Sequence, residues 1–318
     1  MKTLLSMREC IQEMERLYRQ EGENIYAQPM RTVLRADNDS IFLSMPALSK
    51  KLERFAVKIV TEFKRNPVDN SLPVQGGLIL LMDARNAQVL ATLDSPSVTA
   101  IRTGAVSGLA TKLLAREGVE TVGVVGSGQQ AETQLEAVCA VRPIRSVNVY
   151  SRSFPNAQRF AFDMSKKLGI EVKPKQDRKE ALCDAGVVIV ATNSAVPVVS
   201  WSEIPPGAHV NSIGTLPERR ELDVETVCNS GLYVDSKEGV LKEAGDIMYA
   251  ISSGRISASH IKGDLSDLVL GRVGGRNKDS DPTLVTLFKS VGFALQDVYA
   301  SSYVFDKFAS REQRERSK

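Results

Sequence analysis

An α/β fold built on a doubly wound parallel sheet is predicted by three features of the chain. Residues 122–125 form a short β-branched apolar run, the pattern of a strand buried on both faces. Gly126 and Gly128 follow at once, and Ala131 stands where a G-x-G-x-x-G/A turn needs its third small residue. A second strand at residues 146–150 arrives about 20 residues on, as a βαβ unit requires, and further apolar runs occupy residues 187–191, 208–213 and 232–234. In such a turn Gly126 permits the tight bend. Gly128 lets the backbone approach a pyrophosphate, and Ala131 lets helix and strand pack closely. The helix that opens at Gln130 turns free N–H groups and a positive dipole end toward phosphate. The stretch reads as a dinucleotide-binding unit.

Taken in order, residues 4–19 carry Leu4, Leu5, Met7, Ile11, Met14, Leu17 and Tyr18 at helical spacing, and Gly22 ends that amphipathic helix. Residues 31–34 and 40–45 read as short strands around a polar turn at 36–39. Residues 55–63 form a strand with Val57, Ile59, Thr61 and Phe63 on one face. Lys58 sits on the other, between Ala56 and Val60, either as a solvated gatekeeper of an edge strand or as a group pointing into a cleft. Residues 78–82 and 88–93 make the next strand pair. Residues 97–110 form a helix of small side chains containing one arginine, Arg102, read as an ion-pair partner or a ligand clamp. At the far end, residues 283–308 repeat Leu284, Leu287, Phe288, Val291, Leu295, Val298 and Tyr299 at spacings of three and four. With Ser280-Asp281-Pro282 as a start signal, they predict one long helix. Residues 310–318 are charged and expected to fray.

Bulk properties set limits. A chain of 318 residues suggests two domains. Its 41 basic and 38 acidic residues leave a net charge of +3, a mixed surface that argues against a nucleic-acid partner. Cys10, Cys139, Cys183 and Cys228 form no C-x-x-C pair and read as inert thiols in a reducing compartment. His209 and His260 are too few and too far apart for zinc, so no metal site is read. His209, inside an apolar strand, reads as a satisfied core histidine. No apolar run is long enough for a membrane span and no signal-peptide core is present, which points to the cytoplasm and to no membrane partner.

Several ordered stretches together resemble the ornithine cyclodeaminase/μ-crystallin family over nearly the whole chain. They are Met45-Pro-Ala47, Lys58-Ile-Val-Thr61, Thr99-Ala-Ile-Arg-Thr-Gly104, Gly126-Ser-Gly-Gln-Gln-Ala131 and Ala191-Thr-Asn193. They continue with Pro206-Gly-Ala-His-Val-Asn-Ser-Ile-Gly214, Arg220-Glu-Leu-Asp223, Val234-Asp-Ser236 and Phe288-Lys-Ser-Val-Gly292 with Asp297. The resemblance implies a Rossmann-type nucleotide domain, residues 106–285, inserted in a mixed-sheet domain of residues 1–105 and 286–318 that binds substrate and forms a homodimer. It places the family's substrate-carboxylate arginine on Arg102, its active-site lysine on Lys58 and a second substrate-facing arginine on Arg31, with Asp297 a further catalytic candidate. Cofactor contacts fall on Gly126, Ser127, Gly128, Gln129, Gln130, Ser151, Arg152, Ser153, Thr192, Asn193, Ile213 and Gly214.

The second strand ends Tyr150-Ser151-Arg152-Ser153, without the carboxylate that would hold an NAD ribose, so NADP(H) is the expected cofactor, with NAD(H) possible. Two departures stand out. The family pattern opens on a strand before the first helix, where this chain reaches helical spacing by residue 4. The cyclodeaminase pattern also puts an aspartate base two residues after the glycine matching Gly214, where this chain has Leu216. The resemblance with that loss implies an NAD(P)H-dependent reductase of an α-imino acid or cyclic imine carboxylate, its partner a small amino or imino acid. The alternatives are an ornithine cyclodeaminase-type ammonia lyase and a non-catalytic NADP-dependent ligand-binding protein.

Overall fold

The computed structural model describes residues 4–22, 28–36, 40–277 and 279–316 and divides into two compact units, Met1–Arg102 with Phe293–Lys318 and Thr103–Gly292. The first unit opens on the helix Met7–Glu21. Ser6 and Glu9 close a capping box on its first turn, and Gly22 ends it with φ 49°. Five strands follow among the described residues: β1 (Thr32–Arg35), β2 (Ser40–Ser49), β3 (Arg54–Phe63), β4 (Gln75–Asp83) and β5 (Val89–Asp94). They pair in sequence order, and among the described residues every pairing is antiparallel, where the expectation was a mixed sheet. Most of the polar turn expected at 36–39 lies outside the described residues.

In this sheet β3 is the central strand, which disposes of the edge-strand role for Lys58. Cross-strand partners share a face, so Met45, Lys58 and Ile79 point the same way. All three are buried where the C-terminal helix Ala294–Arg316 packs on β2, β3 and β4. The opposite face carries Phe42, Leu48, Phe63 and Leu78, all exposed.

Among the described residues the second unit holds eight strands: β6 (Thr121–Val125), β7 (Ser146–Tyr150), β8 (Glu171–Lys175), β9 (Val187–Val190), β10 (His209–Ser212), β11 (Gly231–Val234), β12 (Ile261–Asp264) and β13 (Thr286–Lys289). Their spatial order is β12-β11-β13-β10-β9-β6-β7-β8, and every pairing is parallel. Alternate residues of one strand feed two separate cores. Val188 and Val190 belong to one, Val187 and Ile189 to the other, as burial of both sheet faces demands. Chain order reverses between β6 and β9, the topological switch point where such sheets bind ligands at the carboxyl ends of their strands.

Two expectations are corrected here. Residues 283–308 are not one helix. Thr286–Lys289 is β13, paired with β10 and β11, and helix resumes only at Ala294 after Gly292 turns the chain with φ 73°. A strand buried on both faces shows a continuous apolar run, which helical spacing also fits. The chain therefore leaves the parallel sheet after Lys289, and the first unit takes up its second segment at Phe293, later than residue 286. Secondly, residues 310–316, expected to fray, are helical in this structure, and 317–318 lie outside the described residues. Glutamate, glutamine and arginine are good helix formers, and the helix runs to Arg316.

Candidate functional site

Within the first unit, three elements bring their charged groups together. Lys58 extends from the middle of β3, Arg102 from the helix Ser95–Leu114, and Asp297 from the first turn of the C-terminal helix. Lys58 Nζ lies 2.7 Å from Asp297 Oδ2, and Arg102 Nε donates to Asp297 Oδ1 at 3.0 Å. The side chains are 2%, 5% and 1% exposed respectively, so the charges meet in a desolvated environment. Burial drives the Lys58 ammonium down to a pKa of about 7. Arg102 and Arg31 push the same way, and Asp297 opposes them. Burial alone would raise the Asp297 carboxyl, but Arg102 and Lys58 outweigh it and hold the group below its ordinary value.

Arg102 is tied down twice. Besides Asp297, its Nη1 donates to Gln296 Oε1 at 2.6 Å, and Gln296 Nε2 in turn donates to Tyr18 Oη at 3.1 Å. Tyr18 meets Phe293 edge to face, with ring centroids 5.9 Å apart. With Nε and Nη1 engaged, Nη2 is the end of the guanidinium left for a ligand among the described residues. The bidentate clamp expected from the sequence is thus partly spent on the protein itself. Gln296 and Tyr18 were not singled out in the sequence. Tyr18 reads there as an apolar position of the opening helix, and Gln296 as an ordinary helix residue. Arg31, half-buried just before β1, is near enough to depress the Lys58 pKa.

The second site, in the other unit, is the carboxyl edge of β6, β7, β9 and β10. Gly126 has φ 116°, and a Cβ there would stand 2.2 Å from the Ala191 carbonyl oxygen, so only glycine makes this turn. Gly128 caps the helix Gln129–Val141 with no side-chain hydrogen bond, and a Cβ on it would meet nothing within 4 Å. The helix N-terminus, with Gln129 and Gln130 in its first turn, is therefore uncovered for an anion. Ala131 is fully buried against the sheet.

Beyond β7, Ser127 Oγ donates to Ser151 Oγ at 2.9 Å. Arg152 is exposed, and Ser153 opens the helix Phe154–Leu168 without using its hydroxyl as a cap. Thr192 and the exposed Asn193 follow β9; Ile213 and Gly214 follow β10. These features fit a dinucleotide: a glycine turn, an open helix N-terminus, and hydroxyls with an arginine at the end of the second strand.

Leu216 occupies the left-handed region with φ 89°, a strained conformation for leucine, and offers no proton acceptor in its side chain. His209 is satisfied in the core. Its Nδ1 lies 2.9 Å from Thr286 Oγ1 and its Nε2 3.2 Å from Asn211 Oδ1, and burial pulls its pKa down to about 3. All four thiols are free and have raised pKa values, burial being the largest cause, although Cys183 is exposed. No helix among the described residues is long and apolar enough to cross a membrane.

The family model described as ornithine cyclodeaminase/mu-crystallin matches residues 1–312. The chain belongs to that family. Among its ornithine cyclodeaminase/mu-crystallin relatives, a Δ1-pyrroline-2-carboxylate reductase of Bacillus cereus is 34% identical over 286 residues, covering 89% of this chain and 86% of the relative. The structure of Thermococcus litoralis Δ1-pyrroline-2-carboxylate reductase in complex with NADH and L-proline is 40% identical. It superposes with a TM-score of 0.92 over 98% of this chain and 96% of the other. An archaeal alanine dehydrogenase dimer with bound NAD is 30% identical, with a TM-score of 0.87 over 98% and 94% of the two chains.

Proposed function

We propose that this family member reduces a cyclic imine carboxylate of the Δ1-pyrroline-2-carboxylate class to the amino acid, with a reduced nicotinamide dinucleotide. The observation that carries the reading is the buried Lys58–Asp297–Arg102 cluster. Two cations share one carboxylate, leaving a net positive site suited to a carboxylate ligand. Arg102 Nη2, with Arg31, holds the substrate carboxylate. Lys58, poised near neutrality, donates a hydrogen bond or a proton to the imine nitrogen. Asp297 holds both cations in register and is read as part of the catalytic group.

When bound, the nicotinamide supplies the hydride. The imine carbon gains that hydride and its electron pair, the C=N π bond becomes the nitrogen lone pair, and one proton settles on nitrogen. The curated reductase relative and the complex with NADH and L-proline support this reading. Leu216 supports it over cyclodeamination, which needs a base at that position.

The same reading assigns substrate to the first unit and the dinucleotide to the second. Residues Gly126 to Gln130 cradle the pyrophosphate, Ser151 to Ser153 the adenosine ribose, and Thr192, Asn193, Ile213 and Gly214 the remainder. NADPH is the preferred donor because Arg152, with Ser151 and Ser153, would bind a 2′-phosphate that a carboxylate would repel. Arg152→Ala should weaken NADPH about tenfold or more and leave NADH nearly unchanged. Tighter NADH than NADPH binding by the parent protein would refute the preference.

The working form is a cytoplasmic homodimer, joined through the apolar face of the five-stranded sheet. The reading as a whole is tested by following nicotinamide absorbance with Δ1-pyrroline-2-carboxylate and homologous cyclic imines. Cofactor oxidation with formation of the matching cyclic amino acid is expected, and cofactor left unoxidised by every imine would sink it.

A further inference from the structure

Glu221 carries a side chain that the functional reading has not used. It is fully buried, yet its carboxylate accepts four hydrogen bonds. Oε1 takes the Thr192 N–H at 2.6 Å and the Thr192 hydroxyl at 2.9 Å; Oε2 takes the Gly214 N–H at 2.7 Å and the Ser212 hydroxyl at 2.8 Å. One carboxylate thus ties the turn after β9 to the turn after β10. The packing is so close that a Cβ on Gly214 would stand 2.7 Å from the Glu221 carboxyl carbon.

Its own backbone is equally fixed, since Val198 N–H and Val199 N–H donate to the Glu221 carbonyl at 2.8 and 3.1 Å. Burial and Asp246 raise the Glu221 pKa, and Lys289 opposes that shift. Lys289, fully buried on β13, lies 3.8 Å from Glu221 Oε2. It donates at 2.9 Å to both Asp246 Oδ2 and Ser212 Oγ, so Ser212 passes a hydrogen bond from lysine to glutamate.

We propose that Glu221 is a positioning residue for the nicotinamide half of the dinucleotide site, acting through the backbone of Thr192 and Gly214. In a doubly wound sheet the adenosine half lies over the first strands, here β6 to β8, and the second half over the strands beyond the switch point, here β9 and β10. The turns that Glu221 joins belong to that second half. Only a carboxylate suits the post, because all four partners are donors. The isosteric amide of Glu221→Gln has one acceptor oxygen and would turn an NH2 toward the N–H of either Thr192 or Gly214, releasing one turn.

The proposal rests on the dinucleotide reading above, and its test separates the two. Dissociation constants for NADPH, NADH, ADP and adenosine 2′,5′-bisphosphate are measured on the parent, Glu221→Gln and Ser212→Ala. Glu221→Gln should weaken both intact dinucleotides about tenfold to a hundredfold and change the two adenosine probes by no more than about twofold. Ser212→Ala removes one donor and leaves the carboxylate, so it should show the same selectivity with a smaller loss, about threefold to tenfold. If Glu221→Gln yields no folded protein, Ser212→Ala decides. Equal losses for dinucleotides and adenosine probes, or no loss at all, overturn the positioning role and leave the reductase reading intact. A parent protein that binds neither dinucleotide overturns both. Selective loss without turnover of any imine upholds the positioning role while the reductase reading falls.

Discussion

At the residue scale, the proposed chemistry turns on how far burial moves Lys58. A lysine whose pKa falls to about 7 divides between ammonium and amine at neutral pH, so it can release a proton where an ordinary lysine would keep it. On the proposed reading the ammonium is the donor in imine reduction. The active form is therefore lost as pH rises through that value, and kcat/KM should fall above about pH 7. Lys58→Met should lower kcat about a hundredfold and abolish that inflection in the pH profile. An unchanged profile in the variant would assign the proton to another group. Arg102→Ala should act differently, raising KM about tenfold to a hundredfold with a smaller effect on kcat, which initial-rate kinetics on one imine would resolve. Lys58 and Arg102 were legible in the sequence only because family motifs surround them; a strand lysine by itself fits a solvated edge as well. Gln296 and Tyr18, which steady Arg102, were not legible, because a neutral amide and a tyrosine at helical positions look like ordinary packing.

At the element scale, the glycine turn after β6 makes the tight bend that its sequence predicts. Gly126→Ala puts a methyl group against the Ala191 carbonyl in a backbone region closed to alanine. It should cost about 1–3 kcal/mol of stability and most of the dinucleotide affinity, read by urea unfolding and by fluorescence titration. A variant with parental affinity would remove this turn from the cofactor site.

Two of the strands that sequence reading missed have a shared reason. Glu171–Lys175 and Ile261–Asp264 are the two edges of the parallel sheet, where one flank is unpaired and polar residues are tolerated, including Pro174. Their short, mixed composition carries no run of apolar residues. Thr286–Lys289 failed in the opposite way. It lies between β10 and β11, fully buried, and its apolar positions continue the spacing of the helix that follows.

At the scale of the whole molecule, the five-stranded sheet poses its own question. Its lysine-bearing face is covered by the C-terminal helix, while the face with Phe42, Leu48, Phe63 and Leu78 is open. An apolar sheet face of this kind calls for a partner. Light scattering should give twice the 34.7 kDa chain mass, and Leu48→Glu should shift the equilibrium to monomer without unfolding the second unit. A parent protein that is monomeric at working concentration would contradict the dimer.

The central claim is hydride delivery to a preformed imine, and one paired incubation tests it most directly. Stereospecifically deuterated NADPH with Δ1-pyrroline-2-carboxylate is set beside ornithine with NADP+, and proline is analysed by mass in both. The account predicts proline bearing one deuterium at the ring carbon next to the carboxylate in the first, and no proline or ammonia in the second. Unlabelled proline and ammonia from ornithine, with the imine left untouched, would contradict it.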